Sequence, residues 1–387
     1  MLMLLFWLIV LFIAYTYVGY PLCIWFIASF VKDTGTKVDR EFDSNVVGRV
    51  SVIIPAHNEA QYLVAKLQSI LTQSAAEHIV EIIIADDGST DDTAKVIKCM
   101  NDPRIKLIEL SRSGKAATLN TAVEASTGEL LVLTDADNLW QPGTLQALLM
   151  AFLNEKVGAA GGKLEFPAIH QQGTGWGDRY YRLFEGWLRL QEDKAGCLIN
   201  LDGALLVIRK ALWQPVPAGV TDDFFISSAA LIAGYQLAWV PQAVVEDHST
   251  SKPRQQFQRR VRITLRGLQS MWTRKSLLST QQPKLAWAFF SHKILRRAVP
   301  LLILLLLPLN VMLLSYGVLF KMLFIAQLIA YLLMGLVLVL PGYHWPKPCL
   351  FIAFFLQQLA AMSWAFILFL CGHRVLQWTP DTGRQLK

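Results

Sequence analysis

Leu131-Val-Leu-Thr-Asp-Ala-Asp-Asn138 is an apolar run that passes straight into two acids. Leu131 to Leu133 have the composition of a buried strand end. Asp135 and Asp137 follow two residues apart, where strand gives way to loop. In extended chain, residues i and i+2 point the same way, so both carboxylates can address one ligand. Two adjacent carboxylates repel each other unless a cation lies between them, and a hard divalent ion carrying phosphate oxygens is the usual partner. Alone, an Asp-x-Asp is equally a solvated loop or a helix cap. The segments around it decide.

Upstream, strand and helix alternate. Residues 50–55 form an apolar strand, followed by Ala56-His-Asn-Glu59 and helical spacing over 60–71. A second strand, 80–85, ends in Asp86-Asp-Gly-Ser-Thr90, with a capped helix to residue 100. Strand 105–110, helix 115–125 and strand 129–134 complete an α/β pattern with a mostly parallel sheet. Ligands of such sheets bind beyond the carboxyl ends of the strands. That edge gathers Pro55, Ala56, Glu59, Asp86, Asp87, Lys115, Asp135 and Asp137. An acid after the second strand suits a ribose or base edge, and a lysine suits a diphosphate. For Asp87, helix capping and ligand binding stay open. Neither a dinucleotide glycine motif nor a phosphate loop is present.

The chain has 387 residues, 53% of them hydrophobic, and a mean hydropathy of +0.38. Residues 1–30 carry no charged side chain, enough to cross a bilayer as an uncleaved anchor. Residues 301–319, 322–340 and 350–370 are three further spans. The reading is an anchor over 1–31, a soluble domain over 45–250, interfacial amphipathic helices over 251–299, three spans over 300–371, and a tail over 372–387. Lys32, Lys37 and Arg40 after the first span, and Lys293, Arg296 and Arg297 before the second, place the domain in the cytoplasm. A tail with Arg374, Arg384 and Lys387 then falls outside, against the same rule. The net charge of +7 fits anionic lipid and phosphate-bearing ligands. With the basic residues clustered beside the spans, nucleic acid is not expected as a partner. Five scattered cysteines support neither a zinc site nor a disulfide framework.

Pro55-Ala-His-Asn-Glu59, Asp86-Asp-Gly-Ser-Thr-Asp-Asp92, Gly114-Lys-Ala116 with Asn120, and Asp135-Ala-Asp137 come in the order and spacing of glycosyltransferase family 2, which the chain resembles. Thr221-Asp222-Asp223 resembles the family's Thr-Glu-Asp motif, and Gln256-Phe-Gln-Arg259-Arg260 resembles its Gln-x-x-Arg-Trp. With the flanking spans, the organisation is similar to bacterial membrane synthases of cellulose, poly-N-acetylglucosamine, chitin and hyaluronan. The resemblance implies a Rossmann-like GT-A domain that binds a nucleotide sugar, expected to be UDP-linked, and an inner-membrane protein with its catalytic domain in the cytoplasm. It implies Asp86 and Glu59 on the nucleoside, and Asp137 with Asp135 on Mg²⁺ or Mn²⁺. It further implies Pro55, Ala56, Lys115, Asp135, Gln256, Arg259 and Arg260 at the donor, and Asp223 as general base for inverting transfer. Arg260 stands where the motif has tryptophan, which counts against processive synthesis.

Residues 176–194 read as an amphipathic helix whose aromatic face, Trp176, Tyr180, Phe184 and Trp187, is assigned to core packing. Asp202-Gly203-Ala204 is placed beside the acceptor, and His57 and His248 are read as structural. Three readings follow. The first is a synthase extending an envelope or extracellular polysaccharide, with a second copy or an export partner completing a channel. The second is single-sugar transfer to diacylglycerol, ceramide or a polyprenyl phosphate. The third is a membrane scaffold without catalysis, against which Asp135, Asp137 and Asp223 together argue.

Overall fold

The computed structural model describes residues 1–31, 48–165, 175–247, 253–340 and 342–373, and the side chains of all of these except 175–179, 247 and 253–256. Lys32, Lys37, Arg40, His248 and the basic tail, together with the side chains of Trp176 and Gln256, lie outside that description. The apolar N-terminus is helical throughout, as α1 (Leu2–Ala14), a π-helical turn over Tyr15–Gly19, and α2 (Tyr20–Phe30).

Eight strands form one sheet: β1 (Val50–Ala56), β2 (Ile79–Asp87), β3 (Ile105–Leu110), β4 (Leu130–Thr134), β5 (Asn138–Trp140), β6 (Val157–Glu165), β7 (Leu205–Arg209) and β8 (Gln236–Asp247), in the order β3-β2-β1-β4-β7-β6-β8-β5. β3, β2, β1 and β4 are mutually parallel, and β7 then runs antiparallel to β4 and β6. β1, β2 and β4 are near-continuous Val, Ile and Leu because both faces of a parallel sheet are covered.

The covering helices are α3 (Ala60–Leu71), α4 (Thr93–Lys98), α5 (Lys115–Ala125), α6 (Thr144–Ala151), α7 (Gly175–Lys194), α8 (Asp222–Ile232) and α9 (Pro253–Thr273). Alternate strand residues divide between two cores. Val52, Ile54, Ile82, Ile84 and Val132 face α3 and α6. Ile53, Ile83, Leu131 and Leu133 share the other core with α5 and α8, and also with Tyr20, Ile24 and Ala28 of α2 and Leu285, Ala288 and Phe289. Half of the apolar N-terminus is therefore part of the soluble domain's own core.

The chain continues through α10 (Pro283–Ala288), a π-helical stretch Phe289–Leu295, α11 (Arg296–Leu313), α12 (Val318–Val339) and α13 (Lys347–Leu370). Leu2–Phe30, Pro283–Tyr316, Val318–Val339 and Lys347–Leu370 are each long and apolar enough to cross a membrane. A separate small core joins Phe6 and Ile9 of α1 to Leu309 and Leu313 of α11 and Phe320 of α12.

Of the expected aromatic core face of α7, Phe184 packs against the core and the other two described rings do not. Tyr180 is 56% exposed and Trp187 38%. The buried face also carries charge. Glu192 accepts a hydrogen bond from Tyr20 Oη at 2.5 Å and lies 2.7 Å from His292 Nδ1, while Glu185 pairs with Arg296. The apolar partners of α7 bring polar groups with them, and a buried charge is tolerated only when matched.

Gly128, just before β4, lets three backbones meet. A Cβ there would lie 2.6 Å from Ser51 N and 2.8 Å from Arg49 O. Gly128→Ala is expected to destabilise the domain by about 1–3 kcal/mol, the usual cost of overpacking, read as a lowered midpoint of thermal unfolding in detergent.

Candidate active site

The ends of β1, β2 and β4 deliver the acids of the site. Ala56 pairs with Asp86 in register, so the β1 and β2 loops leave the sheet side by side. Asn58 takes a left-handed backbone at φ 59°, a conformation asparagine accepts more readily than most residues. Its side-chain oxygen accepts from Thr90 N at 2.8 Å, and Glu59 N donates to Thr93 Oγ1 at 2.9 Å. His57 Nδ1 lies 2.9 Å from the Asp87 carbonyl, the structural role expected of it. The two loops form one body.

Asp86 is buried and accepts from Ser89 N at 3.0 Å. Asp87 does not cap the helix that follows it but binds the segment ahead of α5. It accepts from the backbone of Ser113 at 2.6 Å and of Gly114 at 3.0 Å, and pairs with Arg112, so it shapes the turn that launches Lys115.

Lys115 is the hub. Its Nζ lies 2.8 Å from Asp135 and 2.9 Å from Asp222, joining the β4 loop to the first turn of α8. Pro55, Lys115, Asp135, Gly203, Asp222 and Asp223 line one pocket. Asp137 is half-buried on the same loop as Asp135. Glu59 is pushed up to about 8 by burial and then by the negative charges of Asp137 and Asp135. Burial alone would raise Asp222, but Lys115 and then Arg266 outweigh it and hold that carboxyl low. Asp223 is raised, by burial first and by Asp222 second. The two neighbours therefore differ in character: Asp222 is an ion-paired anchor, and Asp223 is the more basic carboxylate.

Gly203 brings β7's leading loop against that base, since a Cβ on it would stand 3.1 Å from Asp223 Cβ. Its neighbour Asp202 faces Arg189 at 3.3 Å. Asn120 clamps the segment before α8 by bonding both ways with the Val216 backbone, at 2.8 and 3.0 Å. Arg266 donates to the Val220 carbonyl at 2.9 Å.

Glu59, Lys115, Asp135, Asp137, Asp222 and Asp223 thus come together, with Asp86 at the adjacent strand end. Arg260 does not join them. Its guanidinium donates to Gln358 of α13 and lies 5.6 Å from the Tyr181 ring centroid. Arg259 is half-buried on α9.

Lys66 went unnoticed in the sequence. It is fully buried in α3 and donates to Thr134 Oγ1 at 2.8 Å and Asn138 Oδ1 at 2.5 Å, behind the Asp-x-Asp loop. Burial draws it down to about 7, against the opposing pull of Asp135 and Asp137. Its only sequence signal is a lysine on the apolar face of an otherwise amphipathic helix.

Residues 51–214 match the Glycosyl transferase family 2 profile. The chain carries a family 2 glycosyltransferase domain. Over 115 residues it is 34% identical to hyaluronan synthase of Pasteurella multocida, covering 29% of this chain and 12% of that one. Over 217 residues it is 27% identical to an N-acetylglucosaminyltransferase of Mesorhizobium japonicum, covering 50% of each. An uncharacterized glycosyltransferase of Nostoc sp. is 36% identical over 112 residues, 28% of this chain and 34% of that protein. The chain thus aligns with no more than half the length of each of these relatives. The mannosyltransferase PcManGT from Pyrobaculum calidifontis, solved with GDP-Man and Mn²⁺, shares the GT-A fold. Its TM-score is 0.70 at 23% identity, over 96% of this chain and 100% of that one.

The raised Asp223 carboxyl sets a pH expectation. A base must be ionised, so activity should rise as pH climbs through a value above the ordinary aspartate range. Asp222→Asn removes the neighbouring negative charge and should move that acid limb to lower pH in a kcat/KM profile.

Proposed function

We propose that this protein is a membrane-bound, inverting glycosyltransferase that moves a sugar from a nucleoside diphosphate to an acceptor hydroxyl. The observation that carries the reading is the Lys115 bridge. It draws Asp135 and Asp222, far apart in sequence, into one pocket with Asp223 at the carboxyl edge of the sheet. A scaffold has no use for a raised carboxylate held beside a fixed, ion-paired one.

Glu59 and Asp86 accept hydrogen bonds from the nucleoside, on the two loops that Asn58 ties together. Asp135 and Asp137 hold a divalent cation, Mg²⁺ or Mn²⁺. The donor set fits: hard carboxylate oxygens, two residues apart, in a cluster whose negative charge adds to burial in pushing Glu59 up to about 8. Among the described residues, no three His, Cys, Asp or Glu side chains converge to hold a metal unaided. A cation held there would supply positive charge to the leaving diphosphate. Asp223 takes the acceptor hydroxyl proton as that oxygen bonds to the anomeric carbon and the bond to diphosphate breaks on the opposite side. Lys115 and the Asp87-shaped turn keep the donor side of the pocket fixed relative to α8. The basic flanks of the spans support a bacterial cytoplasmic location for this chemistry.

For the acceptor, a growing envelope polysaccharide is the first reading, in keeping with the relatives named as synthases. Single-sugar transfer to a membrane lipid is the second. It is favoured by Arg260, which sits where the motif has an aromatic ring and binds Gln358.

Asp223→Asn should lower kcat about 10²–10⁴-fold, the usual contribution of a general base, with nucleotide binding retained. Both are measurable with labelled nucleotide sugars and purified membranes, and unchanged turnover would refute the assignment. Chelation of divalent ions should abolish transfer in the wild type, with Mn²⁺ or Mg²⁺ restoring it, and Asp137→Asn should raise the metal concentration required. Product size on a gel separates polymer from single transfer.

A further inference from the structure

α13 has the length and hydropathy of a membrane span, yet its surroundings are not those of one. Arg260 of α9 donates to Gln358, midway along α13. Three turns further along both helices, Gln269, Trp272 and Thr273 of α9 share a cavity of about 180 Å³ with Phe369. The two helices therefore run side by side in the same direction. Pro217, Ala218 and Val220, from the segment that leads into α8, line the same cavity. The far end of α13 thus touches the soluble domain one residue from Thr221.

A crossing helix ends about 30 Å from the surface it entered. For α13 to cross, α9 would have to cross beside it. α9 carries Arg259, Arg260, Arg262 and Arg266 within two turns, and arginine is strongly disfavoured in hydrocarbon. The burial pattern agrees. The most apolar stretch of α12 is 6% buried by protein, whereas that of α13 is 39% buried. Ala353, Gln357, Ala361 and Ala365 form a buried stripe at four-residue spacing. Ile352, Phe355, Trp364 and Ile367 stay exposed.

We propose that α13 lies in the plane of the membrane on the soluble-domain side, one face on α9 and the opposite face in the acyl layer of that leaflet. The occupant of the exposed face is lipid, because α13 packs on the apolar helices α12 and α11 and leaves Ile352, Phe355, Trp364 and Ile367 uncovered. Three crossings remain, by the N-terminal helix, α11 and α12. The two ends of α13 then share a side with the catalytic domain. The basic residues that follow it in the sequence fall on that side too, which removes the conflict with the charge rule.

Free cysteines provide the test. Cys99 is exposed on the soluble domain, Cys349 lies in the first turn of α13, and Cys371 directly follows its last residue. In the full-length protein, with Cys23 replaced by serine and buried Cys197 left in place, variants retaining one of these three are treated with a membrane-impermeant maleimide in inverted and right-side-out vesicles. Cys99, Cys349 and Cys371 should all react in the same vesicle orientation. Gly372→Cys and His373→Cys give the same readout one and two residues further on. Reaction of position 371, 372 or 373 only in the orientation opposite to Cys99 would overturn the assignment.

Discussion

One ammonium group holds this site together. Lys115 lies between Asp135 and Asp222, with Glu59, Asp137 and Asp223 close by. Five carboxyl groups crowd one largely buried lysine and leave the pocket negative, with Arg266 beside Asp222 and Lys66 behind the loop offsetting only part of that. A nucleoside diphosphate is itself an anion, so it cannot settle among these acids unaided. Charge repulsion at such separations is worth several kcal/mol in a partly buried site. The imbalance is therefore an argument for a divalent cation independent of any motif. Burial first, and then this imbalance, raise Glu59 and Asp223, while Asp222 stays low beside Lys115 and Arg266.

The second constraint joins this domain to the membrane elements. Tyr20 from the N-terminal helix and His292 and Arg296 from the second apolar segment meet Glu185 and Glu192 of α7. Phe224, next to the proposed base, stacks on Phe289 at 5.7 Å between centroids. Two apolar surfaces can slide past one another with little change in energy, whereas matched buried charges permit one register only. That register fixes α8, and so Asp223, relative to the apolar helices.

The sheet was legible because a parallel sheet covered on both faces must be apolar throughout, as β1, β2 and β4 are. Acids at strand ends were legible because the chain leaves every parallel strand at the same edge. α5 and α3 match their expected bounds for the same local reasons of spacing and turn chemistry. Partner choice was not legible. The hydrophobic period of α7 marks an amphipathic helix but not which face meets protein, and here the charged face does. Hydropathy likewise reports that α13 avoids water, without distinguishing lipid from α9. Lys66 is a single residue whose partners, Thr134 and Asn138, are set by tertiary packing alone.

Arg260 shows how a departure from a motif is read once its contacts are known. A tryptophan at that position has one donor and a flat apolar face. A guanidinium offers a fork of donors and a cation to lay on a ring. Here Gln358 takes the first and Tyr181 the second. The residue thus joins α7, α9 and α13 in one contact, at the point where the apolar C-terminal part meets the soluble domain. Committed there, it is not available to stack on an acceptor sugar. A helix that holds a growing chain must leave an aromatic surface facing the substrate, and the nearby exposed Trp272 lies three turns along α9, beside Phe369 rather than beside Asp223. The same substitution that weakens the case for chain extension is the one that fastens α9 to its apolar neighbour.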